Sequence, residues 1–386
     1  MCRLPLASVL VLLCLAERSH CTGSFQDSMR ELHGRFAVSL YQTLTGTENS
    51  SNLIVSPASV SLSLALLQLG ARGDTRAQLE ATLGYNVNDA QVRDFLLHSQ
   101  GDLSNSSQGT WLQQTCTLFI QSGVQLLAEF TQQAAAWANA SVLRANLSQP
   151  HHARNEWWPL QSGSSSGELS GSGEAQAEAL WWGRRPQVAL VNTVAFRGVW
   201  QKQFMSSSTQ NLPFILSDGS TIKVPMMHQA AEVRFGQFRT ASDQRYTVLE
   251  LPYLGRSLSL QVVLPSERKS PLSLLESQLT ARQLASWDSG LRRTKMDIFL
   301  PSLQIRFVLS HLPNLENTSI KCRFCRLHPT SSDPIKKKTI QMSESEEMSD
   351  TESSWTFLFI FIILCPCISG SILFMGRMMN PAERAM

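Results

Sequence analysis

The run from Trp355 to Met375 contains 21 residues without a charge, and it limits the fold more than any other stretch of the chain. A helix of that length could cross a bilayer, which needs about 20 apolar residues. Arg377 and Arg384 beyond it would suit the cytosolic side of a type I anchor. The competing solution is a pair of strands buried on both faces, with Pro366 and Gly370 where a turn would fall. We read the run as two buried strands, with an anchor over 355–375 as the alternative.

Burying such a hairpin requires a large core, and the composition allows one. Of 386 residues, 43% are apolar and 16% charged, which is within the globular range. The formal net charge of +3 is too small and too dispersed to argue for nucleic acid as a partner. At the N-terminus, Arg3, the apolar stretch Leu4 to Ala16 and the small residues Ser19 and Cys21 form a secretory signal over 1–21, so the chain is expected to be secreted and extracellular. Five Asn-x-Ser/Thr acceptors follow, at Asn49, Asn105, Asn139, Asn146 and Asn317, and they fit export. Removing the signal leaves Cys116, Cys322, Cys325, Cys365 and Cys367, which is no disulfide scaffold. The pair Cys322 and Cys325 with His328 lacks the further ligands of a closed zinc site, so neither metal nor cofactor is expected.

Periodicity supplies the elements. Met29, Leu32, Phe36, Leu40 and Leu44 recur at helical spacing. Asn52 to Val55 reads as a short strand. Ser56-Pro57 starts a helix whose Val60, Leu62, Leu64, Leu66, Leu67 and Leu69 make it apolar on most sides, so it should lie deep in the core. Gly70 to Thr75 breaks that helix, and Asp74 or Thr75 is expected to cap the next, which continues to Leu83. Strand-like runs follow at Cys116 to Gln121, Val188 to Val191, Val248 to Leu251, Leu258 to Leu264 and Met296 to Leu300, with helices at Leu126 to Trp137 and Leu272 to Leu291. Residues 161–178 are mostly Ser, Gly, Glu and Ala and read as a flexible surface insertion. Gly163 to Gly167 within it matches the hydrolase nucleophile pattern, but not in the strand-to-helix context that the chemistry requires. No other Ser, His and Asp arrangement has supporting context, so an enzyme is not expected.

Six segments in order resemble the serpin family. Asn52 to Leu83 is similar to the family's helix B region and the turn and helix after it. Phe196-Arg197-Gly198-Val199-Trp200 with Phe204 resembles its Phe-Lys-Gly-x-Trp-x-x-x-Phe segment. Val224 to Met227, Leu249 to Tyr253, Leu300 to Ile305 and Gly370 to Arg377 resemble later signatures. Leu67-Gln68-Leu69 and the general run of the chain look most like the plasminogen-activator-inhibitor branch. The resemblance implies an α+β domain with three β-sheets and about eight or nine helices, its main body at 25–307 and its last strands within 355–386. It also implies Ser56 and Asn192 at the shutter where sheet A parts, and Trp200 at the breach. Each residue also has a purely structural reading, as a helix cap or as core.

The resemblance breaks between 308 and 354. Inhibitory members release strain when a cleaved loop enters sheet A as a new strand, and a loop of small residues does this without burying unpaired charge. Here Lys336-Lys337-Lys338 is followed by Ser343-Glu344-Ser345-Glu346-Glu347-Met348-Ser349-Asp350-Thr351-Glu352. No reactive-loop hinge, no strand 5 of sheet A and no shutter histidine is recognisable, so sheet A is expected to be incomplete and the reactive bond is unassigned. The stretch reads as a solvated, disordered loop, with polyanion binding by the lysines the lesser alternative. Two functions are open: a secreted serine protease inhibitor acting on an extracellular serine protease, its trapping activity in doubt, or a non-inhibitory secreted binding protein on the same scaffold. Expressed in mammalian cells, the chain should reach the medium and shift down on a gel after glycosidase treatment. Retention in a carbonate-washed membrane fraction would favour the anchor.

Overall fold

A computed structural model describes residues 6–47, 51–104, 109–121, 126–138, 140–145, 188–266, 271–301, 305–306, 339–342, 359–365 and 371–382. Helix α1 (Leu6–Thr47) turns Met29, Phe36 and Leu40 to the core, as their spacing requires, and is continuous with residues of the expected signal at 1–21. After β1 (Leu53–Val55), α2 (Pro57–Gly70) starts with Pro57 at its first positions. It is buried at Val60, Leu62, Ala65, Leu66 and Leu69, the deep position expected of it. Its buried Gln68 donates Nε2–H to the Tyr85 carbonyl at 2.9 Å and accepts the Val87 amide at 2.6 Å, fixing the turn after α3 (Gly73–Leu83). The cap expected from Asp74 or Thr75 is not used. The chain enters α3 earlier, behind Arg72, and Asp74 lies in the first turn, where its charge faces the positive end of the helix dipole.

Next come α4 (Ala90–Ser104), β2 (Thr110–Gln121), α5 (Ala128–Ala138), β3 (Ala140–Ala145), β4 (Val188–Gly198), β5 (Gln210–Ile215), β6 (Thr221–Arg239), β7 (Arg245–Pro252) and β8 (Ser259–Pro265). The helix expected over Leu272 to Leu291 is two, α6 (Leu272–Gln278) and α7 (Ala281–Gly290). Thr280 separates them by forming a capping box with Gln283. The chain ends with β9 (Arg292–Pro301), β10 (Ile305–Arg306), β11 (Thr339–Met342), β12 (Phe359–Cys365) and β13 (Ser371–Met378). Seven α-helices are thus present among the described residues, against the eight or nine expected for the whole chain.

The strands pair into two networks. One is five-stranded, in the order β10-β11-β4-β2-β3. The other is eight-stranded, in the order β1-β13-β12-β8-β7-β6-β5, with β9 also on β6. Strand β6 is 19 residues long: Thr221–Met226 pairs with β5, Met226–Phe235 with β9, and Arg234–Arg239 with β7. Divided along β6, the two networks resolve into the three expected sheets.

Two expectations are refined here. Strand 5 of the smaller sheet, expected to be missing within 308–354, is present as β11 between β4 and β10. It is only four residues long, and its Thr-Ile-Gln-Met sequence offers too little alternation to stand out between a lysine triplet and an acidic run. The charge-free run forms the antiparallel pair β12 and β13, so the anchor over 355–375 is set aside. Among the described residues no helix is long and apolar enough to cross a membrane.

Both strands of this hairpin are buried almost throughout, and β1 packs so closely on β13 that a Cβ at Gly376 would lie 2.3 Å from the Leu53 carbonyl oxygen. Arg377, considered above as a membrane flank, is 1% exposed. Its Nη1 donates to Glu276 Oε2 at 3.2 Å and its Nε to the Ser51 carbonyl at 3.0 Å, while Tyr41 donates its hydroxyl to Glu276 Oε1 at 2.6 Å. Burial, and then the Glu276 carboxylate, hold the Tyr41 phenol well above its ordinary pKa, so it remains a donor. Replacing Arg377 with Met should strand a buried carboxylate and cost about 3–5 kcal/mol, read as a lower urea midpoint. The double variant Glu276→Leu/Arg377→Met should recover part of that loss, and a double variant as unstable as the single one would contradict the charge-balance account.

Candidate functional site

Strand β4 carries Asn192, Trp200 lies two residues beyond its end, and Ser56 caps the helix packed against it. Ser56 caps α2: its Oγ accepts the Ser59 amide at 3.3 Å and its carbonyl accepts the Val60 amide at 3.1 Å. Asn192 on β4 is 5% exposed, and its Nδ2 donates to the Ser59 carbonyl at 3.0 Å and to Ser63 Oγ at 3.2 Å. These bonds do not join Ser56 and Asn192 to each other. They grip the same residue, Ser59, one through its amide and the other through its carbonyl. The structure thus links the two residues expected at the shutter through the first turn of α2.

Two buried polar atoms at this junction, Asn192 Oδ1 and Ser59 Oγ, have no hydrogen-bond partner among the described residues. An unfilled acceptor beside a hydroxyl is a place where a donor from a neighbouring strand would be stabilised. Cys116 pairs with Asn192 across β2 and β4, and burial pushes its thiol up to about 12, so it is an inert core group.

Trp200 lies eight residues further on, roughly 25 Å along an extended chain, and belongs to a separate cluster. It is 2% exposed, stacks on Tyr253 at 4.6 Å between ring centroids and meets Phe204 edge-on at 5.7 Å. A backbone bridge joins Trp200 to Tyr253, and the Leu254 amide donates to the Val199 carbonyl at 2.7 Å. Phe196 closes the cluster edge-on to Tyr253 at 5.1 Å. A Cβ at Gly198 would sit 2.5 Å from Tyr253 Cδ1, which explains glycine between Phe196 and Trp200. The tyrosine was legible only as part of Leu249 to Tyr253, and its stacking role was not, because it depends on a partner more than fifty residues away.

The edges of β4 are unequal. Toward β2 it is paired at eleven positions, Val188 to Gly198 against Ile120 to Thr110. Toward β11 it is paired, in parallel, only from Phe196 to Gly198 against Ile340 to Met342. Among the described residues, Val188 to Ala195 has no partner on that side, and Asn192 lies within this open stretch. The acceptors Asn49, Asn105, Asn139, Asn146 and Asn317, the insertion 161–178, Cys322 and Cys325, and Lys336 to Lys338 lie outside the described residues. Among the described residues no cluster of three or more His, Cys, Asp or Glu could hold a metal.

Asn192→Ala should remove the tie between β4 and α2 at a cost of about 1–2 kcal/mol and speed amide exchange along β4 more than along β12. Equal acceleration in both strands would mean that Asn192 supports the whole core rather than this junction.

The sequence and the fold both have known counterparts. The family model described as Serpin (serine protease inhibitor) matches residues 31–345, a span that includes β11. Probable serpin E3 of Danio rerio is 46% identical over 414 aligned positions, covering 99% of each chain. This relative fits the expected branch. Neuroserpin of Mus musculus is 27% identical over 96% of each chain, and plasminogen activator inhibitor 1 of Bos taurus is 25% identical over 92% of this chain and 93% of its own. Among solved structures, native protease nexin-1 with heparin aligns with a TM-score of 0.71 at 23% identity, over 92% of this chain and 99% of its own. Thyroxine-binding globulin in complex with thyroxine aligns with a TM-score of 0.67 at 21% identity, over 92% of this chain and all of its own. The chain belongs to the serpin family.

Proposed function

We propose that this chain is a secreted serpin that presents the segment after β11 to an extracellular serine protease, and that in this chain the segment is cleaved more readily than it traps. The edge of β4 from Val188 to Ala195, unpaired on the β11 side among the described residues, carries the reading. In a strain-release inhibitor that edge receives the cleaved loop, and the energy gained by completing the sheet holds the acylated protease. The residues that would follow β11 are Ser343 to Glu352, five of which are Glu or Asp. Side chains of an inserted strand alternate between the two faces of the sheet, so several carboxylates would have to be buried, each at a cost of several kcal/mol when unpaired. That cost opposes insertion, and slow insertion lets water release the protease first.

A second reading, a non-inhibitory secreted binding protein, draws on the same acidic segment. One structural neighbour, thyroxine-binding globulin, is described with a bound small ligand.

The test mixes the purified chain with trypsin-like and chymotrypsin-like proteases. The expected result is cleavage within 343–354, with protease activity retained and no detergent-resistant band. A band at the summed mass of chain and protease, abolished by mutating the protease's serine, would establish efficient trapping instead. A chain left intact under conditions that cleave denatured protein would favour the binding-protein reading.

A further inference from the structure

Away from β4, a groove of about 400 Å3 runs between α1 and α3, within the size range of small-molecule sites. Two adjacent rows of α1 line it. Leu32, Phe36 and Leu40, spaced i, i+4, i+8, form an apolar floor against Leu83 of α3. Arg35 and Ser39, one helical row over, form the rim. Phe36, Leu40 and Leu83 are buried, whereas Arg35 and Ser39 are exposed. The Arg35 guanidinium and the Ser39 hydroxyl engage no other group among the described residues. From Leu32 to Leu40 the apolar track is about 12 Å long at the helical rise of 1.5 Å per residue. This is a mostly buried apolar floor with a cation and a hydroxyl along its rim that engage no partner among the described residues.

We infer that the groove binds an aliphatic monocarboxylate, with the alkyl chain along Leu32, Phe36, Leu40 and Leu83 and the carboxylate on Arg35 and Ser39. The charge complementarity selects the head group, since a guanidinium meets a carboxylate through two parallel hydrogen bonds and the serine hydroxyl can add a third. The track length of about 12 Å suits an alkyl tail of medium length. This inference is independent of how the chain meets proteases, because neither β4 nor β11 contributes to the groove.

Titration calorimetry on the purified full-length chain tests it, with dodecanoate, dodecanol and dodecylamine below their micelle concentrations. Dodecanoate should bind with one-to-one stoichiometry, dodecanol at least tenfold more weakly, and dodecylamine not at all. Arg35→Glu should weaken dodecanoate at least tenfold, Arg35→Lys should hold it within about threefold, and Ser39→Trp should abolish binding by filling the groove from its rim. Both positions are exposed, so these variants keep the core intact, which a thermal melt would verify. Equal binding of the amine and the carboxylate, retention of binding in Ser39→Trp, or no saturable binding of dodecanoate would each overturn the assignment.

Discussion

The buried ion pair of Glu276 and Arg377 fixes the frame on which the rest of the molecule depends. Two charges that are 3% and 1% exposed are tolerated only because each is answered: Glu276 by Arg377 and Tyr41, and Arg377 also by the Ser51 carbonyl. These groups come from α1, α6, the approach to β1, and β13, so one polar cluster staples four distant parts of the chain. Asn52 extends it. Its side chain accepts the Met379 and Asn380 amides at 2.7 and 2.8 Å and donates to the Asn380 carbonyl at 2.5 Å, tying down the chain beyond β13. The C-terminal hairpin is thereby held by hydrogen bonds at its end as well as by burial along its length.

Against this fixed frame, the five-stranded sheet is unevenly secured. Helix α2 touches both parts, packing on β13 and on β4. On the β13 side apolar residues of both elements share one core cluster, while on the β4 side the contact includes the polar contacts of Asn192 with Ser59 and Ser63. Polar contacts between a helix and a strand can be exchanged for others at little net cost, whereas an apolar interface must be broken outright. Among the described residues the β4 edge toward β11 is paired at three register positions, and on the proposed reading the sheet would part along it. The aromatic stack of Trp200 and Tyr253 closes one end of that line, with β4 held there through the Val199 carbonyl.

Much of this was legible in the sequence where the signal was local. Val60, Leu62, Leu66 and Leu69 of α2 are buried while Leu64 and Leu67 are half-buried, and the described strands of the charge-free run are buried almost throughout, because a segment without charged residues is driven into the core. Ser56 was legible as a cap and Asn192 and Trp200 as family positions, yet what each touches was not. Arg377 shows why. Read locally, an arginine after 21 uncharged residues looks like a membrane flank, and its partner Glu276 lies a hundred residues away in a helix that the periodicity did not separate from its neighbour. The strand Thr339–Met342 escaped for the opposite reason: it is too short for its pattern to outweigh the charged runs on either side, and its place comes from pairing with β4.

The same electrostatic rule governs both the frame and the open edge, and it separates owning the fold from working as a trap. Glu276 is accepted inside the protein because a cation and a hydroxyl meet it there. An inserted strand beside β4 would find different company: on the α2 side it would meet Asn192 Oδ1, an acceptor that has no donor among the described residues, and the Ser59 hydroxyl. A side chain that donates would be stabilised at that point, and a small apolar one would be tolerated. A carboxylate would meet a second oxygen acceptor with one hydroxyl to share, and would have to bind a proton or stay out. On the proposed reading, the edge would select against the glutamates and aspartate of 343–352 by the same accounting that lets Glu276 remain buried.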